Sequence, residues 1–199
     1  LIAQDSTSWG GDLYGVARLP ELLRALAQVD GIEWIRLHYT HPKTWSERLV
    51  QVFQEESKVC KYVDIPLQHL TDPMLRRMRR EVKRVDTERL FSTLRERIPD
   101  VAIRTHFIVG FPGETEEDFE ATLSLCREAR FLQAFILRYS PRKDTPAATM
   151  PEITYGKPPI SGVASTMMSP PILISPSCRM PSLLMSTTDS SAGSTRDQL

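Results

Sequence analysis

The chain is expected to be an α/β protein with a parallel sheet, and three observations point there. Between residues 1 and 150, apolar β-type runs alternate with amphipathic stretches, the order that lays strands parallel and helices outside them. The run Thr105-His106-Phe107-Ile108-Val109 stops at Gly110-Phe111-Pro112-Gly113-Glu114, and a capped helix follows at once, so a buried strand turns sharply into a helix N-terminus. Polar residues close strands that are otherwise apolar. Right-handed crossovers leave either a doubly wound sheet or a barrel-like one, and both bind ligands at the C-terminal ends of the strands.

Leu1 to Ala3 reads as a strand already under way in a chain that does not open with Met, which predicts a chain truncated at its start. Leu22, Leu23, Leu26 and Val29 give residues 20–29 helical periodicity, and Gly31 stops that helix. Ile32 to Tyr39 is the next expected strand. Thr44-Trp45-Ser46-Glu47 has the form of a capping box opening a helix that carries Leu49, Val50 and Phe53. Tyr62 to Leu67 reads as a strand. Asp72-Pro73 opens a helix with Met74, Leu75 and Met78, where Pro73 suits the first helical position. Either Asp86 or Thr87 caps a helix with Leu90, Phe91, Leu94 and Ile98. Val101 to Val109 is a strand, Glu116 to Arg130 a helix with Thr115 as N-cap and Asp118 three residues on, and Ala134 to Tyr139 a last strand.

Composition narrows the function classes. The 25 basic and 25 acidic residues balance, so there is no polybasic footprint for nucleic acid and no acidic tail. No apolar run is long enough to cross a membrane and the N-terminus is not a signal peptide, so a cytoplasmic location is expected. Cys60, Cys126 and Cys178 lie far apart, without metal-ligand spacing or a disulfide framework, and Cys126 reads as plain core.

The strand ends read Gln4-Asp5, His38-Tyr39-Thr40-His41, Gln68-His69, Gly110 to Glu114, and Arg138-Tyr139-Ser140. All four histidines, His38, His41, His69 and His106, fall on or beside strands near this face. Together they suggest a polar ligand in the mouth of the sheet. Gly110 and Gly113 let backbone approach a ligand closely, and Pro112 stiffens the turn. There is no Ser-His-Asp order, no HExxH and no zinc spacing. Past residue 150 the pattern is lost. Residues 151–199 are rich in Ser, Pro, Thr and Met, and read as a disordered low-complexity tail or the product of a shifted reading frame.

Four stretches carry a resemblance: Leu1-Ile2-Ala3-Gln4-Asp5, Ile65-Pro66-Leu67-Gln68-His69, Met78-Arg79-Arg80, and Phe107 through Thr115. Tyr139-Ser140-Pro141 through Thr145-Pro146-Ala147 adds a fifth. Over residues 1–150 the chain resembles the radical S-adenosylmethionine methylthiotransferases. Within them, Gln4-Asp5 and Gln68-His69 are most similar to the group that modifies an aspartate of a small-subunit ribosomal protein. Relatives acting on tRNA adenosine are the alternative, and a non-catalytic remnant a third reading.

The resemblance implies a partial (β/α) barrel lacking its first strand, with S-adenosylmethionine and 4Fe-4S clusters as cofactors. It also implies an electron donor such as flavodoxin or ferredoxin, and a 5′-deoxyadenosyl radical as the hydrogen abstractor. The family's Cys-x3-Cys-x2-Cys loop has no counterpart among these residues, so this chain alone is expected not to cleave S-adenosylmethionine. Carried over residue by residue, Gln68 resembles the position that bonds the ribose, and Arg80 the arginine that pairs with the methionine carboxylate, with Arg79 as competitor. Asp5 or Gln4 resembles the position that receives the ammonium. Gly110 to Glu114, including Gly113, would lie along adenine and ribose. His106 is either a hydrogen-bonding substitution or a filler at the same mouth.

Overall fold

The computed structural model describes residues 1–151, so the expectation of a low-complexity tail lies outside the described residues from 152 onward. Three strands, β1 (Tyr62–Asp64), β2 (Ala102–Val109) and β3 (Gln133–Arg138), form a parallel sheet in the order β1-β2-β3. Among the described residues six α-helices accompany them: α1 (Gly11–Tyr14), α2 (Leu19–Ala27), α3 (Glu47–Glu55), α4 (Asp72–Arg77), α5 (Arg84–Arg97) and α6 (Glu116–Glu128). In register, Asp64 pairs with Arg104 and Arg104 with Gln133.

Two extended segments continue the sheet beyond β1. Ile35 bridges Val59 in parallel, and Thr40 N–H donates to Asp64 O at 2.8 Å. Leu1 sits beside this segment in the parallel pattern, its amino group donating to Arg36 O at 2.7 Å and its carbonyl accepting from His38 N–H at 3.0 Å. Each extended piece therefore neighbours its predecessor in the chain, with no reversal of order. A doubly wound sheet needs such a reversal, so the arrangement is the barrel-like alternative.

The expected strands at Leu1–Ala3 and Ile32–Tyr39 do not become regular ladders. Tyr62 N–H turns back onto Cys60 O at 2.7 Å, a three-residue turn that kinks the partner chain, and Tyr39 takes a left-handed φ of 54°. Pairing therefore survives only at isolated points. β1 is shorter than expected: Ile65 N–H still donates to Arg104 O at 2.9 Å, but Leu67 N–H goes to the Thr105 side chain at 3.4 Å in place of the β2 backbone. The chain rejoins β2 at Gln68, whose N–H donates to His106 O and whose carbonyl accepts from Ile108 N–H, both at 2.8 Å.

Helix ends show where local signals suffice. At α6, Thr115 Oγ1 accepts from Asp118 N–H at 3.2 Å and Asp118 Oδ2 from Thr115 N–H at 3.1 Å, the expected capping box. At α3 the cap is Ser46, accepting from Leu49 N–H at 3.3 Å, and not Thr44. Pro42–Thr44 forms its own 3-10 turn and Thr44 Oγ1 donates to His41 O. At α5 neither Asp86 nor Thr87 caps. The helix starts at Arg84, whose N–H is taken by Asp72 Oδ1 at 2.8 Å from the start of α4. α1 had no forecast and is one turn held between left-handed Gly10 and Gly15.

The core lies between the sheet and the helices. Leu19, Leu23 and Ala27 form the buried stripe of α2, and Phe53, Ile65, Leu94, Ile98, Ile103 and Phe107 are fully enclosed. Along β2, Ile103, Thr105, Phe107 and Val109 face this core, while Arg104, His106 and Ile108 on the other face are half-buried.

Candidate functional site

The turn after β2 is built around Glu114. Gly110 and Gly113 hold φ of 77° and 85°, values that β-carbon-bearing residues rarely adopt, so glycine is needed at both. Glu114 is 5 % exposed and both its oxygens are engaged. Oε2 accepts from Gly110 N–H, and Oε1 faces His69 Nε2 at 3.1 Å. His69 Nδ1 accepts from Leu70 N–H at 2.9 Å and Thr71 N–H at 3.2 Å, which fixes the tautomer with its proton on Nε2, donating to Glu114. The His69–Glu114–Gly110 chain thus ties the end of the β1 segment to the glycine turn. Thr71 Oγ1 adds a second tie, donating to Asp118 Oδ1 at 2.5 Å. Burial pushes the Asp118 carboxyl up, but the bonds from Thr71 and Thr115 outweigh it and hold it below its usual value.

Beside this turn a cavity of about 600 Å³ opens at the strand ends. Gln68, Ile108, Phe111 and Tyr139 line it from the sheet, Arg80 from the end of α4, and Met150 from the last described turn. Three polar atoms on its lining residues are buried without a partner among the described residues: Gln68 Oε1, Arg80 Nε and Tyr139 Oη. Gln68 is held at φ 69°, a conformation costing about 1–3 kcal/mol that persists only where surroundings impose it. Arg80 Nη2 donates to Pro66 O at 2.7 Å, and burial pulls its pKa down while the nearby Asp5 carboxylate opposes. Its competitor Arg79 is exposed, with a left-handed φ of 54°. Glu81, beside Arg80, pairs outward with Lys43 at 2.6 Å. Gly113 is where Arg77 crosses the turn: a β-carbon there would meet Arg77 Cζ at 2.6 Å.

Among the residues flagged by sequence, Gln68 and Arg80 line this cavity. Gly110, Gly113 and Glu114 form the turn beside it. Gln4 is exposed, and Asp5 lines a separate hollow of about 650 Å³ with Trp9 and Leu19, its Oδ1 accepting from Thr7 N–H at 2.9 Å. His106 stands on the inner sheet face, edge-on to Phe135 at 5.2 Å and to Tyr39 at 6.3 Å, with Nε2 buried and unpartnered among the described residues. Burial, then Arg104, lowers its pKa. His41 caps the 3-10 turn through Lys43 N–H.

A site the sequence did not flag lies on that same inner face. Asp64 is 0 % exposed, and its Oδ2 accepts from Arg104 Nη1 at 2.7 Å and lies 3.2 Å from His38 Nδ1. Arg104 also stacks on Phe135 and Arg36 on Tyr62, at 4.5 and 3.9 Å to the ring centroids. The signal that could have revealed it is the period-2 alternation of β2, which places Arg104 and His106 on one face.

The model of the radical SAM superfamily matches residues 7–126, more than half of the chain. The chain belongs to the radical SAM superfamily. It is similar to the ribosomal protein uS12 methylthiotransferases RimO of Lachnoclostridium phytofermentans and Geobacter sulfurreducens. It is 49% identical to the first over 150 residues, 75% of this chain and 34% of that protein, and 49% identical to the second over 152 residues, 76% and 34%. The chain spans about a third of the length of the curated relatives it matches. Among solved structures it is similar to coproporphyrinogen III oxidase (HemN) from Escherichia coli, at 20% identity, a TM-score of 0.48, and coverage of 63% of this chain and 28% of that one.

Membership of the radical SAM superfamily implies S-adenosylmethionine and a 4Fe-4S cluster. The cavity fits the first, since a guanidinium suits a carboxylate and the open Gln68 oxygen suits a hydroxyl. Among the described residues no three His, Cys, Asp or Glu side chains converge as metal ligands, so these residues do not fit the cluster. Cys60 is buried just before β1, and burial pushes the Cys126 thiol in α6 up to about 11. No helix among the described residues is long and apolar enough to cross a membrane.

Proposed function

We propose that the chain is the S-adenosylmethionine-binding barrel segment of an enzyme that attaches a methylthio group to an aspartate of ribosomal protein uS12. The observation that carries this reading is 49% identity to uS12 methylthiotransferases over three-quarters of the chain. The cavity at the strand ends supports it with groups of suitable chemistry.

When bound, S-adenosylmethionine supplies radical chemistry; the residues of this chain bind it, orient it and keep water away. Arg80 meets the methionine carboxylate with its fork, held in place by Pro66 O. Gln68 Oε1 accepts from a ribose hydroxyl, which gives that buried oxygen a partner. Asp5, whose charge reaches Arg80, or Gln4 receives the ammonium. Gly110 and Gly113 present bare backbone along adenine and ribose, and Glu114 acts from behind by fixing the turn. His106 lies on the inner sheet face against Phe135, outside the lining of the cavity, and is a hydrogen-bonding group or a filler there. An electron donor such as flavodoxin or ferredoxin serves the enzyme in the cytoplasm.

The test is expression of the longer gene product carrying this segment in a host that lacks its own uS12 methylthiotransferase. Peptide mass spectrometry of uS12 is expected to show methylthio-aspartate while tRNA nucleosides stay unmodified. Methylthio-adenosine with unmodified uS12 would move the acceptor to tRNA. Neither product would leave the segment a non-catalytic remnant.

A further inference from the structure

The cavity carries more positive charge than one carboxylate can use. Five arginines line it, Arg77, Arg79, Arg80, Arg138 and Arg142, and no Asp or Glu does. None of the five makes an ion pair with a carboxylate among the described residues, although Arg24, Arg48, Arg84, Arg89, Arg97 and Arg104 all do. Like charges gathered in one concavity repel each other, and an anionic ligand relieves that repulsion. The arginines come from two places: Arg77, Arg79 and Arg80 from the end of α4, Arg138 and Arg142 from the exit of β3. Arg77 lies over Gly113, Arg80 is held by Pro66 O, and the preceding reading gives the α4 group the methionine carboxylate as its anion. The β3 group is left for a second one.

We propose that Arg138 and Arg142 determine specificity by receiving the side-chain carboxylate of the acidic residue to be modified. This rests on the preceding reading that the acceptor is an aspartate in a protein. The setting favours a protein carboxylate over nucleic acid. A phosphate backbone calls for a stripe of Lys and Arg along a surface, whereas here the solvent-exposed Arg138 and Arg142 line one concave site. Its remaining lining includes Ile108, Phe111, Leu137 and Met150, against which an extended peptide can lay apolar contacts. The chain as a whole is neutral, so the charge is local to this site.

The experiment is fluorescence anisotropy of a labelled short peptide with a central Asp, against the same peptide with Asn, on the full chain and on Arg138→Gln, Arg142→Gln and the double variant. A charge-assisted pair predicts that the wild type favours the Asp peptide about tenfold or more. The double variant is expected to bring that ratio close to one, while Arg142→Lys, which keeps charge without the fork, keeps part of it. Circular dichroism and unchanged S-adenosylmethionine affinity show that the variants fold and that Arg80 still functions. Equal binding of the two peptides by the wild type, or a preference that survives in the double variant, would overturn the proposal. So would an RNA oligonucleotide that binds in an Arg138- and Arg142-dependent way when the peptides do not. Failure here with methylthio-aspartate present on uS12 removes only the arginine assignment. A sound Asp preference with unmodified uS12 removes only the proposed reaction.

Discussion

Replacing Glu114 by Gln tests the brace that shapes the glycine turn after β2. The substitution keeps size and shape but leaves one acceptor oxygen where the carboxylate has two. Two donors converge there, Gly110 N–H and His69 Nε2–H. Whichever way the amide is turned, one of them meets an NH2 group. The histidine cannot escape by changing tautomer, because Leu70 and Thr71 N–H both point at Nδ1, at 2.9 and 3.2 Å. A buried donor left without an acceptor costs about 1–3 kcal/mol, and losing the carboxylate's charge assistance adds to it, so a total of about 2–4 kcal/mol is expected. With a urea slope of about 1–3 kcal/mol per molar, the midpoint should fall by about 1–2 M. Urea titration followed by circular dichroism measures it. A cycle with His69→Ala should show the two changes costing less together than separately, since they remove one interaction. A Glu114→Gln midpoint within about 0.3 M of wild type would refute the claim that this carboxylate holds the turn, given the slope used here.

Thr115→Ala removes the α6 cap and should cost about 1 kcal/mol in the same titration; Thr115→Ser should recover most of it. Burial holds His41 and His106 below the ordinary histidine value. Below about pH 6.5 the unfolded chain then binds protons that the folded chain refuses, so stability should fall as pH drops toward the folded values. Asp118, whose folded pKa is depressed, adds a further loss as pH falls below its ordinary value of 3.8 and through the folded one. Urea midpoints across this range check both, and a flat profile from about pH 7 to 5 would contradict the histidine part. Arg80→Gln in the longer protein should weaken S-adenosylmethionine binding by about tenfold or more in calorimetry, whereas Arg79→Gln should change it little.

The parts of the fold legible in the sequence are those set by neighbours in the chain. Thr115 and Asp118 satisfy each other's backbone within one turn, so Thr-x-x-Asp could be read directly. The helix of residues 20–29 was legible by its periodicity, but its buried stripe is Leu19, Leu23 and Ala27 in place of the expected Leu22, Leu23, Leu26 and Val29, and Val29 is exposed. Where a long-range partner decides, the reading drifted. Lys83 caps α5 without a side-chain bond because Asp72, twelve residues from Arg84, supplies the acceptor. Thr44 lost its helix to Ser46 because Pro42 commits the preceding residues to a turn of their own. The segment around Ile35 has strand composition, yet the turn at Cys60–Tyr62 bends its partner away.

The candidate site divides along the same line. Gly110, Gly113 and Gln68 were legible because strand-end chemistry announces itself in composition. The inner-face network was not, because it depends on register. Asp64 sits inside Tyr62-Val63-Asp64-Ile65-Pro66, a run that otherwise reads as buried strand. An enclosed carboxylate is costly unless a charge and hydrogen bonds meet it. That requirement amounts to a search rule, since the strand beside β1 has to offer a cation at the height of Asp64. Arg104 is the arginine within β2, and its pairing with Asp64 is also the register of the two strands. The same pairing turns His106, two residues on, to the inner face as well, where Arg104 and Phe135 surround it. A lone charged residue in an apolar parallel strand therefore predicts both its partner and the alignment of the sheet. Applied here, that rule would have found the polar interior before any coordinate was known.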